Sequence, residues 1–366
     1  MHTFQLVIAI LLCLLLQLQV EARPEQASDS DESENIRIGL LLTENPENSP
    51  LMQEASDVVK LAVELVNETG GIRHKQVQIV VKSVDGNWGA GSKQAVSLIY
   101  EHRTIALLGF VDGRSAHLIE QVCTKAEIPF ISTLSPDPSL SRINIPWFFS
   151  TLPHADQQAA ALAKHLYTGE SKRNIFIVTS DDYDQRFISR SFIDIAAGNS
   201  QNKPEIYRYA TGQDDFSGAA PYITETNAEA IAFFGTPEEL ESLVEQLTLA
   251  NIDIPVHTPV MNLNPNLSER YSGPLYTLRP GNPTHQDTDA FKARFLERYG
   301  YMPAIQTTYL YDGLQLLFRA IQENGDESDQ VRETLSNMSV PASFDSDGVI
   351  EQPLIIVQID NEIRNR

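Results

Sequence analysis

In this 366-residue chain, Asp112-Gly113-Arg114-Ser115 follows an apolar run, Thr104 to Leu108, and opens an amphipathic one. It therefore sits where a strand hands over to a helix. An arginine at that place can grip a carboxylate through two parallel N–H bonds, and the free N–H groups of a helix start add to the grip. A plainer role fits the same residues, with Asp112 capping the helix and Arg114 in solvent. Ser132, Thr133 and Ser135 follow Pro129-Phe130-Ile131 and offer hydroxyls to a cleft, unless they satisfy their own turn. Tyr183 combines an apolar face with a hydroxyl, and Trp88 and Trp147 are further candidate lining residues. Trp147 is better suited to packing where the chain crosses between domains.

Catalytic signatures are missing. The chain has no G-x-S-x-G elbow, no phosphate-binding Walker sequence and no H-E-x-x-H pair. Its histidines are scattered without metal-ligand spacing, so no metal or cofactor is expected. Asp181-Asp182 and Asp214-Asp215 cannot act as acid/base pairs if each lies on a strand or turn, because adjacent side chains there point apart. Cys123, among Ile119 and Val122, reads as a buried structural thiol. Binding rather than catalysis is the expectation.

The elements that must position these residues alternate. Ile36 to Leu42 is a strand-length apolar run, and Ser49-Pro50 then offers an N-cap and first-turn pair. Leu51, Ala55, Val58, Val59, Ala62 and Val66 recur at helical spacing up to Gly70-Gly71. Val77 to Val81, Thr104 to Leu108 and Pro129 to Ile131 read as strands, with helices at Ser92 to His102 and Ser115 to Ala126. The pattern restarts with helices at Asp156 to Tyr167 and Tyr183 to Ala197, and strands at Asn174 to Thr179, Glu205 to Tyr209 and Ala228 to Phe234. Pro237 to Leu249 is a helix with an acidic first turn, and Ile254 to His257 a short strand. Helices at Thr288 to Tyr299, Ile305 to Glu323 and Ser328 to Met338 precede a last strand, Leu354 to Ile359. Nearly all-apolar strands alternating with helices predict an α/β fold with two doubly wound parallel sheets, covered on both faces. Ligands of such sheets bind beyond the strands' carboxyl ends.

The amino terminus bears on location. Leu6 to Leu16 is an apolar run of 11 residues, too short to span a bilayer, and Val20-Glu21-Ala22 offers small residues for cleavage. Residues 1–22 therefore read as a signal peptide and 23–35 as an acidic disordered leader. The net charge of −22 disfavours nucleic acid and anionic membrane surfaces as partners.

Several ordered segments carry a family likeness. They include IRIGLLL from Ile36, Val66-Asn67-Glu68-Thr69-Gly70-Gly71-Ile72, Ala106-Leu107-Leu108-Gly109 and Ile128-Pro129-Phe130-Ile131-Ser132. Phe148 to Pro153, Asp181-Asp182-Tyr183, Tyr309 to Gly313 and Phe344 to Gly348 extend the series. In this order the chain resembles type I periplasmic binding proteins, in the branch of leucine/isoleucine/valine-binding proteins of ABC importers. The resemblance implies a monomer with two lobes hinged around a small-molecule ligand. Lobe 1 would span 36–150 plus 276–341, and lobe 2 would span 151–275 plus 342–366. It implies a periplasmic protein that delivers its ligand to an ABC permease; a sensor acting through a membrane receptor or kinase is the alternative.

The implied ligand-binding set is Asp112, Gly113, Arg114, Ser132, Thr133, Leu134, Ser135, Tyr183, Thr236 and Met261. Gly113 stands where the family usually has serine, Pro136 where it has threonine, and Asp184 where it has glycine. Val260-Met261-Asn262 occupies the place of an expected acidic residue. A small polar or carboxylated ligand is expected, with the α-amino-acid grip altered.

Overall fold

The computed structural model describes residues 35–86, 89–141, 145–199, 204–261, 263–264, 266–281, 288–339 and 343–359. The expected signal segment, the acidic leader up to residue 34, Trp88 and Asn262 lie outside them. Two α/β lobes with largely parallel sheets are present, and both sheets fall within one compact unit that begins at Ile36.

The first sheet is built from β1 (Ile36–Leu42), β2 (Val77–Ser83), β3 (Ala106–Phe110), β4 (Phe130–Ser132) and β5 (Phe148–Ser150), in the order β2-β1-β3-β4-β5 and wholly parallel. Helices α1 (Pro50–Glu68), α2 (Ala90–Val96) and α3 (Gly113–Ala126) connect its strands. Strand β1 shows why both faces are covered. Ile38, Leu40 and Leu42 enter one core, with Val59 of α1, while Leu41 enters another with Ile119 and Cys123 of α3. Successive side chains of a strand point to opposite faces, so an unbroken apolar strand needs helices on both.

The second lobe opens with α4 (Ala155–Ala163), continued by a π turn at Lys164–Gly169. Next come β6 (Ile175–Ser180), α5 (Gln185–Asn199), β7 (Glu205–Tyr209), α6 (Ala219–Glu225), β8 (Ala230–Phe234) and α7 (Pro237–Leu249). The chain continues with β9 (Val256–Thr258), α8 (Leu267–Arg270) and β10 (Leu275–Pro280). It then passes through α9 (Thr288–Tyr299), α10 (Ile305–Asn324) and α11 (Ser328–Asn337), and closes with β11 (Leu354–Ile359). The sheet order is β11-β10-β9-β8-β6-β7, with β11 antiparallel to β10. Ile231 and Phe233 of β8 point into one core, and Ala230, Ala232 and Phe234 into the other.

Three local expectations shift for physical reasons. The helix expected from Tyr183 starts at Gln185, because the Asp182 carboxylate accepts the N–H groups of Asp184 and Gln185. The strand expected from Thr104 starts at Ala106, because Thr104 is turned back to the Leu98 carbonyl by both its N–H and its hydroxyl. The helix expected from Ser92 to His102 is α2 followed by a π turn at Ser97–Glu101.

The expected lobe borders also move. Strand β10 pairs between β9 and β11, so residues 276–280 belong to the second sheet and not to the first lobe. Residues 343–350, expected in the second lobe, instead flank the first sheet. Val349 bridges Ser150 in parallel, Ile350 lies in the first core, and Phe344 packs on that core. Gly348 makes this edge possible: at φ 77° a Cβ there would stand 2.4 Å from the Phe148 carbonyl oxygen. Helix α10 ties the lobes together. Leu310 and Leu314 fill the first core, Tyr309 enters the second lobe's core, and the Tyr309 carbonyl accepts the Thr151 hydroxyl at 2.9 Å.

Candidate functional site

The carboxyl ends of β3, β4 and β6 bring one loop each to the junction of the lobes. After β3, Asp112 caps α3: its carboxylate accepts the Ser115 N–H at 3.0 Å and the Ser115 hydroxyl at 2.9 Å. The capping role expected of Asp112 is therefore present. With Asp112 serving Ser115, the Gly113 N–H is free to point across the junction. There it donates to Oδ2 of Asp184, from the second lobe, at 3.1 Å. The Ser135 hydroxyl, from the loop after β4, donates to Oδ1 of the same carboxylate at 2.9 Å. A helix N-terminus and a hydroxyl thus hold a carboxylate between the lobes.

Gly113 and Asp184 explain one another. A Cβ on residue 113 would stand 2.6 Å from Asp184 Oδ1, 2.8 Å from Ser135 Oγ and 2.8 Å from Tyr183 Cε1. A serine at 113 and an aspartate at 184 would collide. The two departures seen in the sequence are a complementary pair, with a side chain removed from one lobe and supplied by the other.

Beside this pair, the Tyr183 hydroxyl donates to Asp137 Oδ2 at 3.0 Å. Asp137 also accepts the Ser139 N–H and hydroxyl and contacts His117 Nε2 at 3.1 Å. Burial alone would raise the Asp137 pKa, yet the hydrogen bonds from His117, Ser139 and Tyr183 hold it down at about 2. Burial and the Asp137 charge push the Tyr183 phenol up to about 12. Asp184 behaves oppositely to Asp137. Burial raises it to about 7 against its bonds from Ser135 and Gly113, and the Asp182 and Asp112 charges add to the rise. Arg114 and Arg186 flank the Tyr183 ring, with guanidinium carbons 4.9 Å and 4.4 Å from its centroid.

A cavity of about 770 Å³ opens next to Tyr183. The first lobe lines it with Thr43, Asp85, Asp112 and Arg114, and the second with Asp181, Asp182 and Thr211. Asp181 is anchored there by the Thr211 N–H and hydroxyl, both at 2.8 Å. A separate groove of about 590 Å³, between α1, α9 and α10, includes Ile72, which leads into the amino end of β2, and so lies away from the junction.

Of the residues expected at the site, the structure brings together Asp112, Gly113, Arg114, Ser135 and Tyr183. Ser132 is fully buried, with no hydrogen-bond partner for its hydroxyl among the described residues. Thr133 turns inward, its hydroxyl on the Gly109 carbonyl at 3.1 Å, and Leu134 packs on the first core. Thr236 caps α7, accepting the Glu239 N–H while Glu239 accepts the Thr236 N–H in return. Met261 is buried in the core of the second lobe. Asp184, Asp137, His117, Asp85, Asp181 and Asp182 were not in the expected set. For Asp184 a signal existed, since a lost side chain at 113 coincided with a gained one at 184.

Comparison with known proteins bears on this arrangement. A family model described as periplasmic binding protein matches residues 35–363. LivJ from Streptococcus pneumoniae, a branched-chain amino acid transporter substrate-binding protein solved with isoleucine, superposes with a TM-score of 0.77 at 18% identity, covering 89% of this chain and 97% of LivJ. A solute-binding protein of an ABC transporter from R. palustris, solved with benzoate, gives a TM-score of 0.75 at 15% identity, over 89% of this chain and 94% of that one. Among curated sequences, glutamate receptor 3.4 of Arabidopsis thaliana is 25% identical over 156 residues, 42% of this chain. The matched stretch is 16% of that receptor's length, so the chain corresponds to a small part of the curated relatives it matches.

Proposed function

This chain belongs to the periplasmic binding protein family, and we propose that it captures a small carboxylated solute, an amino acid or analogue, between its lobes for delivery to an ABC importer. The lobes would be residues 36–150 with 288–350, and 151–280 with 351–359. Residues 1–22 would direct export, and the closed monomer would dock on the permease.

The observation that carries the reading is the lobe junction itself. A carboxylate already rests there on the Gly113 N–H and the Ser135 hydroxyl, beside a cavity into which Arg114 projects. The Arg114 guanidinium lies over the Tyr183 ring and pairs with no described carboxylate, leaving its N–H groups for a ligand. Asp181, Asp182 and Asp85 line the same cavity and suit a cationic group at the ligand's other end. Isoleucine and benzoate, bound by two of the structural relatives, share only the carboxylate.

A ligand that touches both lobes favours the closed form by the contacts it makes there and not in the open form. Asp184 substitutes for part of those contacts, so closure would need less from the ligand than in a binding protein with an empty niche. A thermal-shift screen of amino acids, amides and aromatic acids tests the proposal, because a bound ligand raises the melting temperature by mass action. The Arg114→Ala change is expected to weaken the best hit by about 10- to 100-fold, the worth of a charge-assisted hydrogen bond. Unchanged affinity would dispose of the arginine grip, and turnover of a screened compound without lobe closure would dispose of the binding reading. The glutamate-receptor likeness favours one alternative, a sensor that passes its closed state to a membrane partner. Neighbouring permease and ATPase genes would separate import from sensing.

A further inference from the structure

Helix α4 does not end as an ordinary helix. It widens into the π turn Lys164–Gly169, closed by the Glu170 N–H on the His165 carbonyl at 2.8 Å. In an α-helix, residues five apart are about 140° apart around the axis. A π turn bonds residues five apart and brings them onto one face, and such turns recur at functional sites. His165 and Glu170 meet in this way, with Nε2 of His165 3.0 Å from Oε1 of Glu170.

The third member comes from the sheet. His257 lies on β9 with its side chain fully buried, and neither ring nitrogen has a hydrogen-bond partner among the described residues. A buried polar group left unpaired costs about 1–3 kcal/mol, so each one calls for an explanation. The ring is held in place: it stacks on Tyr276, its neighbour on β10, at 4.5 Å between centroids and 11° between planes. Its Nε2 is 3.9 Å from the same Glu170 oxygen that faces His165, and the two imidazoles are 5.3 Å apart.

We infer that His165, Glu170 and His257 bind a divalent first-row transition-metal ion, Zn²⁺ by donor type, which staples the end of α4 to strand β9 within the second lobe. One ligand atom from each residue lies within 4.8 Å of the others. Four-coordinate zinc holds nitrogen and oxygen at about 2.0–2.2 Å, which places neighbouring donors about 3.3 Å apart. The two distances to Glu170, 3.0 Å and 3.9 Å, bracket that spacing. The side chains of His165 and Glu170 are each about a quarter exposed, while the Nε2 atoms of both histidines are buried. The donor set, two imidazoles and one carboxylate, suits zinc and disfavours calcium or magnesium, which take oxygen ligands. This site is separate from the lobe junction and independent of the solute proposed for it.

The test uses the tag-free chain after chelator treatment. Calorimetric titration with Zn²⁺ and metal analysis after dialysis are expected to show one ion per chain, with a raised melting temperature. His165→Ala and Glu170→Gln, both at partly exposed positions, should each weaken Zn²⁺ binding by at least about tenfold while leaving the far-ultraviolet circular dichroism unchanged. Co²⁺ in place of Zn²⁺ should give visible ligand-field bands that vanish in His165→Ala. His257→Ala is the stronger lesion but removes a buried ring, so the two other variants decide the matter. Absence of Zn²⁺ binding tighter than about 100 µM would overturn the inference, since dedicated sites bind far more strongly. Zn²⁺ affinity left intact in both variants would overturn it equally.

Discussion

Replacing Asp184 with asparagine keeps the side chain's shape at the lobe junction and removes its titration. In the closed form burial lifts this carboxyl from its ordinary 3.8 to about 7, against the bonds from Ser135 and Gly113. Opening returns it to water and to the ordinary value. The closed-state pKa is the higher one, so the closed form holds the proton more tightly. Closure is therefore most favoured below about pH 4, weakens as pH rises from about 4 to about 7, and levels off above. At about 1.4 kcal/mol for each pKa unit, the full swing is at most about 4 kcal/mol. Asp137, held down at about 2, and Tyr183, pushed up to about 12, titrate outside this window. The assay is the lobe separation in ligand-free protein, read by small-angle scattering or by a fluorophore pair across the cleft, from pH 4 to pH 8. The wild type should open progressively over that range, and Asp184→Asn should lose the part of the response due to one proton. Superimposable pH profiles for the two proteins would refute the reasoning.

Other consequences follow from the same contacts. Gly113→Ser should hold the lobes apart, because its Cβ would press on Asp184, Ser135 and Tyr183; the double change Gly113→Ser with Asp184→Gly should restore closure and raise affinity for leucine, both measurable by scattering and calorimetry. Tyr183→Phe removes the bond to Asp137 and should cost closure about 1.5–3 kcal/mol, the range for a hydrogen bond to a charged group, read as a shifted open–closed ratio. Phe233→Ala, in the fully buried middle of β8, should lower stability to denaturant by about 3–5 kcal/mol, with the loss confined to the transition of the second lobe if the two lobes unfold separately.

The fold was largely legible in the sequence because its signals are local. The alternation of Ile38, Leu40 and Leu42 against Leu41 already requires a sheet covered on both faces, and Thr236-Pro237 with Glu239 marks the start of α7 within four residues. The turn at Asp112 was legible for the same reason. What the sequence alone could not set was every pairing between distant segments. Strand β10, LYTLRP, interrupts its apolar residues with Thr277 and Arg279 and gave no strand signal, and only its hydrogen bonds to β9 and β11 place it in the second sheet. The hairpin around Gly348 is likewise assigned by its bridge to Ser150. At the site, Asp184 looked like a lost glycine until the structure set its carboxylate on Gly113, 71 residues earlier in the chain. His257 looked like a scattered histidine until a π turn brought His165 and Glu170 to it. Helices and strands form from neighbours along the chain, so their residues announce them. A hydrogen bond or a cluster of ligand atoms depends on a few ångströms between parts that only packing brings close.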